Sequence, residues 1–304
     1  MNFTIQILGS SAALPTSQRN PSAQVLEYEG RLFLIDCAEG TQMQMRKFSI
    51  AFRKVSHVFI SHLHGDHYFG LVGLLFSFHL LGRTEELHIY AKKELEEIID
   101  LQLRVSNTHL SYPLFFHPIN PEEKEIILDD ENLTVETIPL KHSIPCCGFL
   151  FREKAKPRKI DKHFLVKEII PISAFAKIKA GEDYLNPEGI LYKNCDITIA
   201  PSTPHSFAYC ADTLYDEQIV PQIVGVDVLY HEATFMNDKQ SSAKDKFHST
   251  AQQAAEIAKK AGTGTLVLGH FSARYDDLQP LLEEARAIFE NTVLAEEGLK
   301  IAIG

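Results

Sequence analysis

The chain has 304 residues, 45% of them hydrophobic and 23% charged, and a formal net charge of −10 at neutral pH. This composition is typical of a globular protein, and the net negative charge argues against broad, non-specific binding of nucleic acids. No apolar run approaches the roughly 20 residues that a membrane-spanning helix needs. The N-terminus also lacks the basic start and apolar stretch of a secretory signal. We therefore expect a cytoplasmic protein without a membrane partner.

Charge is distributed unevenly along the chain. The segment from Arg152 to Lys179 contains nine Lys and Arg residues but three Asp and Glu residues, so it carries +6 while the remainder carries −16. A basic segment on an acidic protein is either a binding surface for a polyanion or a solvated, lysine-rich loop. Hydrophobic periodicity is weak over residues 152–195 as well, which predicts an inserted arm at about these positions.

The first half of the chain predicts short strands joined by turns, followed by helices. TIQIL alternates as a strand, and VLEYEG and RLFLIDC form a hairpin with Glu29 and Gly30 at its turn. An amphipathic helix is predicted from about Thr41 to Phe48. The buried strand HVFIS then leads directly into HLHGDH, and the apolar helix FGLVGLLFSFHLLG follows. LHIYA and KKELEEIIDLQLRV are predicted as a strand and a helix.

The second half repeats one design, in which an apolar strand ends in polar residues. Strands are predicted at EIILD, LTVETIPL and CGFLF, and again at SFAYCADT, VDVLYHEAT and TLVLGHFS. A helix between the last two strands begins at Ser249 and Thr250 and ends at Gly262. Runs of strands followed by helices predict two packed sheets with helices outside them.

Four residues at the end of the HVFIS strand form an H-x-H-x-D-H pattern, and imidazole and carboxylate groups are suitable ligands for zinc. Alternate residues of an extended backbone point the same way, so the first two histidines can hold one ion. The carboxylate and the third histidine lie where the chain turns and can hold a second ion, with Gly65 permitting the bend. The four candidate ligands are His62, His64, Asp66 and His67.

Two catalytic zinc sites need more ligands than this cluster provides, because each site has about three protein ligands and an open position. Three candidates follow other predicted strands: His142 after TVETIPLK, Asp212 after SFAYCA, and His270 after TLVLG. Each one alone is more often an ordinary loop residue. Together they complete two sites.

These residues also carry a resemblance to a known family. HLHGDH looks like the signature of the metallo-β-lactamase superfamily, whose fold is α/β with an αββα layer order of two packed mixed sheets between helices. The series LGSSAALPT, DCAEGTQ, SHLHGDHYFGLVGLL, PLKH, CADT, HEATF, FHST and GHFSARY resembles ribonuclease Z, the endoribonuclease that removes the 3′ trailer from precursor tRNA. The matches extend from residue 8 to residue 275 and keep the family's order.

The resemblance implies a role for each candidate residue. One Zn²⁺ of each subunit would be held by His62, His64 and His142, the other by Asp66, His67 and His270, and Asp212 would bridge the two. Asp66 would accept the proton of the attacking water. His248 of FHST would be the second catalytic residue, oriented by Glu232 of HEATF. The products would be a tRNA with a 3′-hydroxyl and a trailer with a 5′-phosphate.

The resemblance also implies how the substrate is held. Members of this length carry a protruding arm that binds tRNA, so residues 1–304 would form one metallo-β-lactamase domain with a basic arm inserted at about 152–195. Lys177 and Lys179 of the arm would bind the substrate, as would Arg274. Ile172 and Ser173 stand where the family often has Gly-Pro. A homodimer is expected, in which the arm of one subunit reaches the tRNA on the other.

Two other classes of function remain open at this stage. The same metal ligands would serve a hydrolase of small phosphodiesters, sulfate esters, thioesters or lactams, although such an enzyme has little use for a lysine-rich arm. A non-catalytic RNA-binding protein with structural zinc is a third possibility. Structural sites are closed by four ligands that often include Cys, and the pattern contains no Cys ligand.

Overall fold

The computed structural model describes residues 3–304, in which strands alternate with helices much as predicted. In chain order the first strands are β1 (Phe3–Gly9), β2 (Ser11–Ala12), β3 (Ala23–Tyr28), β4 (Arg31–Cys37), β5 (Val55–Phe59), β6 (Leu87–Ala91), β7 (Leu114–Pro118), β8 (Ile126–Asp129), β9 (Leu133–Leu140) and β10 (Cys146–Glu153). The later strands are β11 (Lys159–Ile160), β12 (Tyr184–Leu185), β13 (Leu191–Tyr192), β14 (Thr198–Ile199), β15 (Ser206–Cys210), β16 (Val228–Glu232), β17 (Thr265–Gly269), β18 (Phe271–Ser272), β19 (Thr292–Leu294) and β20 (Lys300–Ala302).

The helices lie between the strands. They are α1 (Thr41–Lys47), α2 (Gly65–Tyr68), α3 (Leu71–Leu80), α4 (Glu94–Val105), α5 (Lys162–Lys167), α6 (Ile172–Lys179), α7 (Asn194–Ile197), α8 (Gln240–Asp245), α9 (Ala251–Ala261) and α10 (Gln279–Arg286). Short 3-10 helices occur at Phe52–Lys54, Glu217–Gln222 and Asn237–Lys239.

Two large sheets dominate the described residues, with seven strands in each. The first has the order β20-β1-β3-β4-β5-β6-β7, and the second has the order β19-β17-β16-β15-β10-β9-β8. In the first sheet, β1, β3, β4 and β20 pair antiparallel, whereas β4 to β7 pair parallel. In the second, β15, β16, β17 and β19 pair parallel, whereas β8 and β9 pair antiparallel. Both sheets are therefore mixed, as predicted.

Aromatic side chains pack the two sheets face to face. Phe59 of the first sheet lies 5.4 Å, between ring centroids, from both Phe149 and Phe151 of the second. On its outer face the first sheet forms one buried cluster with α3 and α4, in which Val58 and Ile89 are fully or nearly fully buried. Helices α9 and α10 contact each other, and α9 contacts β16 and β17 of the second sheet. The layers thus follow the predicted order of helix, sheet, sheet and helix.

Helix α9 shows how local sequence fixes an element beside the second sheet. Its N-cap Thr250 accepts a hydrogen bond from the backbone of Gln253, whose side chain accepts from the Thr250 N–H in return. This reciprocal pair satisfies two backbone N–H groups that a helix start otherwise leaves free. Gly262 ends the helix in the left-handed conformation with φ 63°, as the sequence predicted. The start of α9, and with it the segment just before it, is therefore held firmly.

The chain divides into two compact units. The first consists of residues 3–129, 134–151 and 206–304, and the second of residues 130–133 and 152–205. The second unit has its own small core, which includes Ile160, Ile178 and Ile197. Its helices α5 and α6 and its two-stranded sheets lie where the sequence showed only weak periodicity. The inserted arm at about 152–195 stays a prediction.

Two further observations concern the whole described chain. None of the helices within residues 3–304 is long and apolar enough to cross a membrane. The five cysteines are free, and four of them, all except Cys195, are buried.

Candidate metal centre

The centre lies where strands end, beginning with the segment that follows β5. His62 and His64 continue from that strand in extended conformation, and α2 then begins and carries Asp66 and His67. Gly65 stands where the chain passes from extended backbone into α2, and it has no positive φ. A Cβ at Gly65 would lie 2.2 Å from the Phe69 ring.

The other three candidate ligands arrive from the second sheet and its neighbours. His142 lies two residues after β9, Asp212 two residues after β15, and His270 directly after β17. Asp212 and His270 have φ values of 58° and 56°, which are uncommon for residues with a side chain. Strained backbone of this kind costs about 1–3 kcal/mol per residue and concentrates at functional sites.

The structure brings all seven predicted ligands together around the Asp212 carboxylate. Its Oδ2 atom lies 3.5 Å from His62 Nε2, 3.5 Å from His67 Nε2 and 3.6 Å from His142 Nε2, and its Oδ1 atom lies 2.8 Å from His270 Nε2. His64 Nδ1 is 3.1 Å from both His62 Nε2 and His142 Nε2. Asp66 Oδ2 is 3.6 Å from His67 Nε2 and 3.5 Å from His270 Nε2.

These contacts define two groups of potential ligands that share Asp212. In each group one nitrogen or oxygen atom per residue lies within 4.8 Å of the others. The first group is His62, His64, His142 and Asp212, and the second is Asp66, His67, Asp212 and His270.

Buried polar atoms in the centre provide a test of whether these residues fit a cation. Within residues 3–304, His67 Nε2, His270 Nε2 and Asp212 Oδ1 are buried without a partner of hydrogen-bond geometry. His270 Nε2 and Asp212 Oδ1 are only 2.8 Å apart, but the two atoms do not meet the geometry of a hydrogen bond. Such unsatisfied atoms are rare because burying them is costly. A cation coordinated by all three would satisfy them, so the residues fit a divalent metal.

Outer hydrogen bonds orient the histidine rings so that their second nitrogens face the centre. His67 Nδ1 donates to Asp36 Oδ2 at 2.7 Å, and His142 Nδ1 donates to the Phe247 carbonyl at 3.1 Å. His270 Nδ1 lies 3.0 Å from Thr234 Oγ1. The Asp36 carboxylate and the Phe247 carbonyl can only accept, so Nδ1 is the protonated nitrogen of His67 and His142, and in all three rings Nε2 is the nitrogen that can bind a metal once it is deprotonated.

Asp36 accepts most of the hydrogen bonds in this outer layer, a role that was not predicted from the sequence. Its carboxylate is fully buried and accepts hydrogen bonds from the Ser61 N–H at 2.8 Å, the Ser61 hydroxyl at 3.0 Å, the Tyr209 hydroxyl at 2.6 Å and His67. Asp36 also has a positive φ of 55°. The network thus connects β4 to β15, across 173 residues of sequence.

Electrostatics within the centre follow from burial and close opposite charges. Burial alone would raise the pKa of the Asp212 carboxyl, but His270 and His67 hold that pKa well below its usual range. Burial likewise would lower the pKa of His270, but Asp212 raises it to about 10. For His62, burial and the adjacent His67 lower the pKa well below its usual value. Asp212 is therefore an ionised carboxylate that requires positive charge around it.

His248 and Glu232 lie beside the metal centre. Glu232 is fully buried, and its Oε1 atom accepts hydrogen bonds from His248 Nδ1 at 3.0 Å and from the Thr213 N–H at 2.7 Å. Its Oε2 atom accepts from the Thr234 hydroxyl at 2.6 Å and the Ser249 N–H at 3.0 Å. Burial would lower the pKa of His248, but the Glu232 carboxylate raises it above the usual value.

A cavity of about 520 Å³ gives access to the centre. Leu14 and Phe69 line it as exposed apolar residues, and Lys246 and His248 line it as polar ones. The loop after β2 is fixed to the centre because the Ala13 N–H donates to Asp66 Oδ2 at 2.7 Å. The cavity is large enough to admit a phosphodiester with its flanking groups.

The three residues predicted to bind substrate lie in different surroundings. Arg274 is exposed, and its guanidinium lies 4.8 Å from the centre of the Phe235 ring, whose centroid is 6.1 Å from that of His248. Lys177 and Lys179 are exposed on α6 in the second unit.

Comparisons with known proteins agree with the fold and the centre. A model of the beta-lactamase superfamily domain matches residues 153–271, and a model of the anti-Pycsar protein Apyc1 matches residues 3–172. The latter covers more than half of the chain, which therefore belongs to the sequence family that this model describes. The metallo-beta-lactamase fold protein YhfI from Bacillus subtilis has a similar structure, with a TM-score of 0.69, 19% identity and full coverage of both chains. The protein is thus a divalent-metal enzyme of the metallo-β-lactamase fold.

More similar relatives identify the family within this class. Ribonuclease Z of Bacteroides fragilis is 47% identical over 301 residues, which are 99% of each chain. The short form of human tRNase Z is 28% identical over 99% of each chain, with a TM-score of 0.72. The chain belongs to the ribonuclease Z family and is an endoribonuclease.

Asp36 provides a direct test of the outer hydrogen-bond layer. Asn has the shape of Asp, but one of its two terminal groups is a hydrogen-bond donor instead of an acceptor. The variant can no longer accept all the hydrogen bonds that Asp36 accepts, so the His67 ring loses its fixed orientation. We expect Asp36→Asn to weaken divalent-metal binding about 10- to 100-fold, the usual effect of removing such an outer partner. Competition with a chromophoric chelator measures this affinity. Asp100→Asn, at an exposed position on α4, is the matched control, and equal affinities for the two variants would contradict the orienting role.

Proposed function

We propose that this endoribonuclease is a zinc enzyme that removes the 3′ trailer from precursor tRNA. The observation that carries the proposal is the seven-residue centre with the His248–Glu232 pair beside it, in a chain that is 47% identical to a ribonuclease Z over 99% of its length. The resemblance to human tRNase Z supports tRNA as the substrate. A cytoplasmic location follows from this substrate.

The donor set favours two Zn²⁺ ions per subunit. His62, His64 and His142 would hold one ion, Asp66, His67 and His270 the other, and Asp212 would be shared. Histidine nitrogens and carboxylate oxygens are common ligands of catalytic zinc. When bound, a pair of such ions lowers the pKa of water and stabilises negative charge on phosphoryl oxygens.

The protein's own groups supply the proton transfers. Asp66 takes the proton of the attacking water, whose oxygen forms the new bond to phosphorus. His248 gives a proton to the departing 3′ oxygen as the bond between phosphorus and that oxygen breaks. Glu232 holds the imidazole through Nδ1 at 3.0 Å, so Nε2 is the nitrogen that acts. The tRNA is left with a 3′-hydroxyl and the trailer with a 5′-phosphate.

His248 tests this division of roles. We expect His248→Ala to lower kcat for trailer release about 10²- to 10⁴-fold, as loss of a general acid does, while the bound metal content is unchanged. The assay is a gel of labelled 3′-extended precursor tRNA, and a 5′-phosphate-dependent exonuclease then identifies the trailer end. His109→Ala, at an exposed position, is the control. Wild-type protein that cleaves no precursor with any divalent metal would refute the proposed function, and an unchanged kcat in His248→Ala would refute only the role of His248.

We further propose that the basic segment within about 152–195 is an inserted arm that binds tRNA. Lys177 and Lys179 are exposed and have no ion-pair partner among the described residues, so their charges are free to meet phosphates. Ile169 and Ile172, beside them in sequence, are 92% and 90% exposed, which suits contact with an unpaired base or sugar. A hydrolase of small phosphodiesters or sulfate esters, the alternative function, would not need such a surface.

Salt dependence distinguishes an RNA-binding arm from a solvated loop. We expect Lys177→Ala/Lys179→Ala to weaken tRNA binding and to reduce the slope of log affinity against log salt by about 1 to 2, because each lost phosphate contact contributes about 0.7–0.9. Fluorescence anisotropy at several salt concentrations measures both quantities. Lys193→Ala is the control, because Asp183 pairs with this lysine at 2.8 Å. An unchanged slope, or an equal loss of bis(p-nitrophenyl) phosphate hydrolysis, would count against the arm.

We also propose the homodimer that the family resemblance implies. Met43 on α1 and Leu80 on α3 are 72% and 80% exposed, and these two helices contact each other. Exposed apolar residues on adjoining helices are typical of a protein–protein interface. A second copy of the chain is the occupant that we propose for this surface.

Sedimentation velocity tests the dimer. We expect the wild-type protein to sediment as a dimer and Met43→Glu/Leu80→Glu to sediment as a monomer, because burying two carboxylates in an apolar interface is unfavourable. Val105→Glu is the control, since this residue is 71% exposed on α4. A monomeric wild type would refute the dimer, and a dimeric double variant would refute the interface.

A further inference from the structure

A second cavity, of about 540 Å³, adjoins the metal cavity, and His248 lines both. Leu214 and one aromatic ring line the rest of its wall together with four polar side chains: Tyr215, Gln240, Ser241, Lys244 and Gln253. We call it the Tyr215 cavity. His248 therefore borders both cavities.

Tyr215 is held in place before any ligand arrives. Its hydroxyl accepts a hydrogen bond from Lys260 Nζ at 2.8 Å and donates to Glu217 Oε1 at 2.8 Å. Lys260 and Glu217 also form an ion pair, and the Lys260 ammonium lies 5.5 Å from the centre of the Tyr215 ring. The preceding residue is fixed as well, because the Leu214 N–H donates to the Lys141 carbonyl at 2.8 Å. A fixed ring loses little conformational entropy when a planar group stacks on it.

Positive charge flanks His248 on both sides. Lys244 lines the Tyr215 cavity and Lys246 lines the metal cavity. Both side chains are exposed, and neither has an ion-pair partner within residues 3–304. Two unpaired ammonium groups, one in each cavity, match successive phosphates of a nucleic-acid strand that passes His248.

The remaining polar groups suit the edge of a nucleobase. Gln240 and Ser241 offer donors and acceptors at the start of α8. Gln253 already uses its side-chain oxygen to accept from the Thr250 N–H at 3.0 Å, which leaves its amide hydrogens to donate. An aromatic ring beside hydrogen-bonding side chains and a basic residue is the usual composition of a site for single-stranded RNA.

We propose that the Tyr215 cavity binds the last nucleotide of the tRNA body, with its base stacked on Tyr215 and the phosphate on its 5′ side near Lys244. This inference rests on the proposed function, in which His248 gives a proton to the departing 3′ oxygen. The ribose that carries this oxygen must lie against His248. Its base and its own 5′ phosphate then extend away from the metal cavity, and the Tyr215 cavity is the space that His248 borders on that side. Because every base has a face that can stack, the site accepts all four bases.

Abasic substrates test the assignment. The substrates are three 3′-extended precursor tRNAs: one intact, one without the base of the last body nucleotide, and one without the base of the first trailer nucleotide. For the wild type we expect the body-side abasic change to weaken binding and to lower kcat/KM about 5- to 100-fold, the effect of losing one base–aromatic stack. Tyr215→Ala should show a similar loss with the intact substrate and little further loss with the body-side abasic one. Tyr215→Phe keeps the ring but loses the hydrogen bonds to Lys260 and Glu217 that hold it, so its kcat/KM should fall between those of the wild type and Tyr215→Ala.

Affinity is also measured by fluorescence anisotropy on the metal-loaded enzyme with body fragments that end at their last nucleotide, intact or abasic there, so this result does not depend on turnover. If the losses in kcat/KM caused by Tyr215→Ala and by the body-side abasic change multiply as independent effects, the proposal is overturned. It is also overturned if the loss caused by Tyr215→Ala depends on the base of the first trailer nucleotide instead. Should Tyr215→Ala fail to fold, Lys244→Ala replaces it, with an expected fall of about 1 in the salt slope for a body fragment that ends at its last nucleotide; an unchanged slope would also overturn the proposal. If binding shows the expected coupling between Tyr215 and the last body base but the wild type cleaves no precursor, only the proposed function is refuted.

Discussion

One buried carboxylate organises the centre. Asp212 is almost completely shielded from solvent, and four histidine nitrogens lie within 3.6 Å of its oxygens. An ionised carboxylate in such surroundings is costly unless positive charge compensates it. Its Oδ1 atom has no partner of hydrogen-bond geometry within residues 3–304, so the protein alone does not satisfy it. The residues around Asp212 therefore fit a cation at this point, and its coordination would satisfy the buried carboxylate.

Strand ends are what make this arrangement possible. Soon after β15 and directly after β17 the chain passes through left-handed residues, Asp212 and His270, both of which lie in the centre. The outer layer then fixes each ring: Asp36 holds His67, and Thr234 contacts both Glu232 and His270. The left-handed backbone of these residues is strained. The buried hydrogen bonds of the network hold it in conformations that would otherwise relax.

The sequence predicted the parts of this site that have a local signature. H-x-H-x-D-H stands on six consecutive residues, and polar residues after apolar strands indicated the other ligands. It did not predict that Asp36, Ser61 and Tyr209 form one network, because their contacts join positions up to 173 residues apart. The strand β7 was missed as well. Its residues LFFHP are at most partly buried on an edge of the first sheet, so the sequence lacks the apolar run that identified β5 and β6.

A division of labour follows from the positions of these groups. The predicted metal ligands are all histidine and aspartate residues. They bind a cation in the same way whatever groups the substrate has beyond its phosphate. Selectivity must therefore come from surfaces outside the ligand set, and the residues between β15 and α9 provide one. That stretch contributes Asp212 to the centre and carries Glu232 and His248, to which we assign the proton transfer, and Tyr215 and Lys244 lie in the same stretch. Because the Leu214 and Thr213 backbone groups are anchored to Lys141 and Glu232, the Tyr215 ring is fixed relative to the ligands themselves. In the proposed mechanism, recognition of a nucleotide and cleavage at its 3′ oxygen would thus be coupled through this one segment.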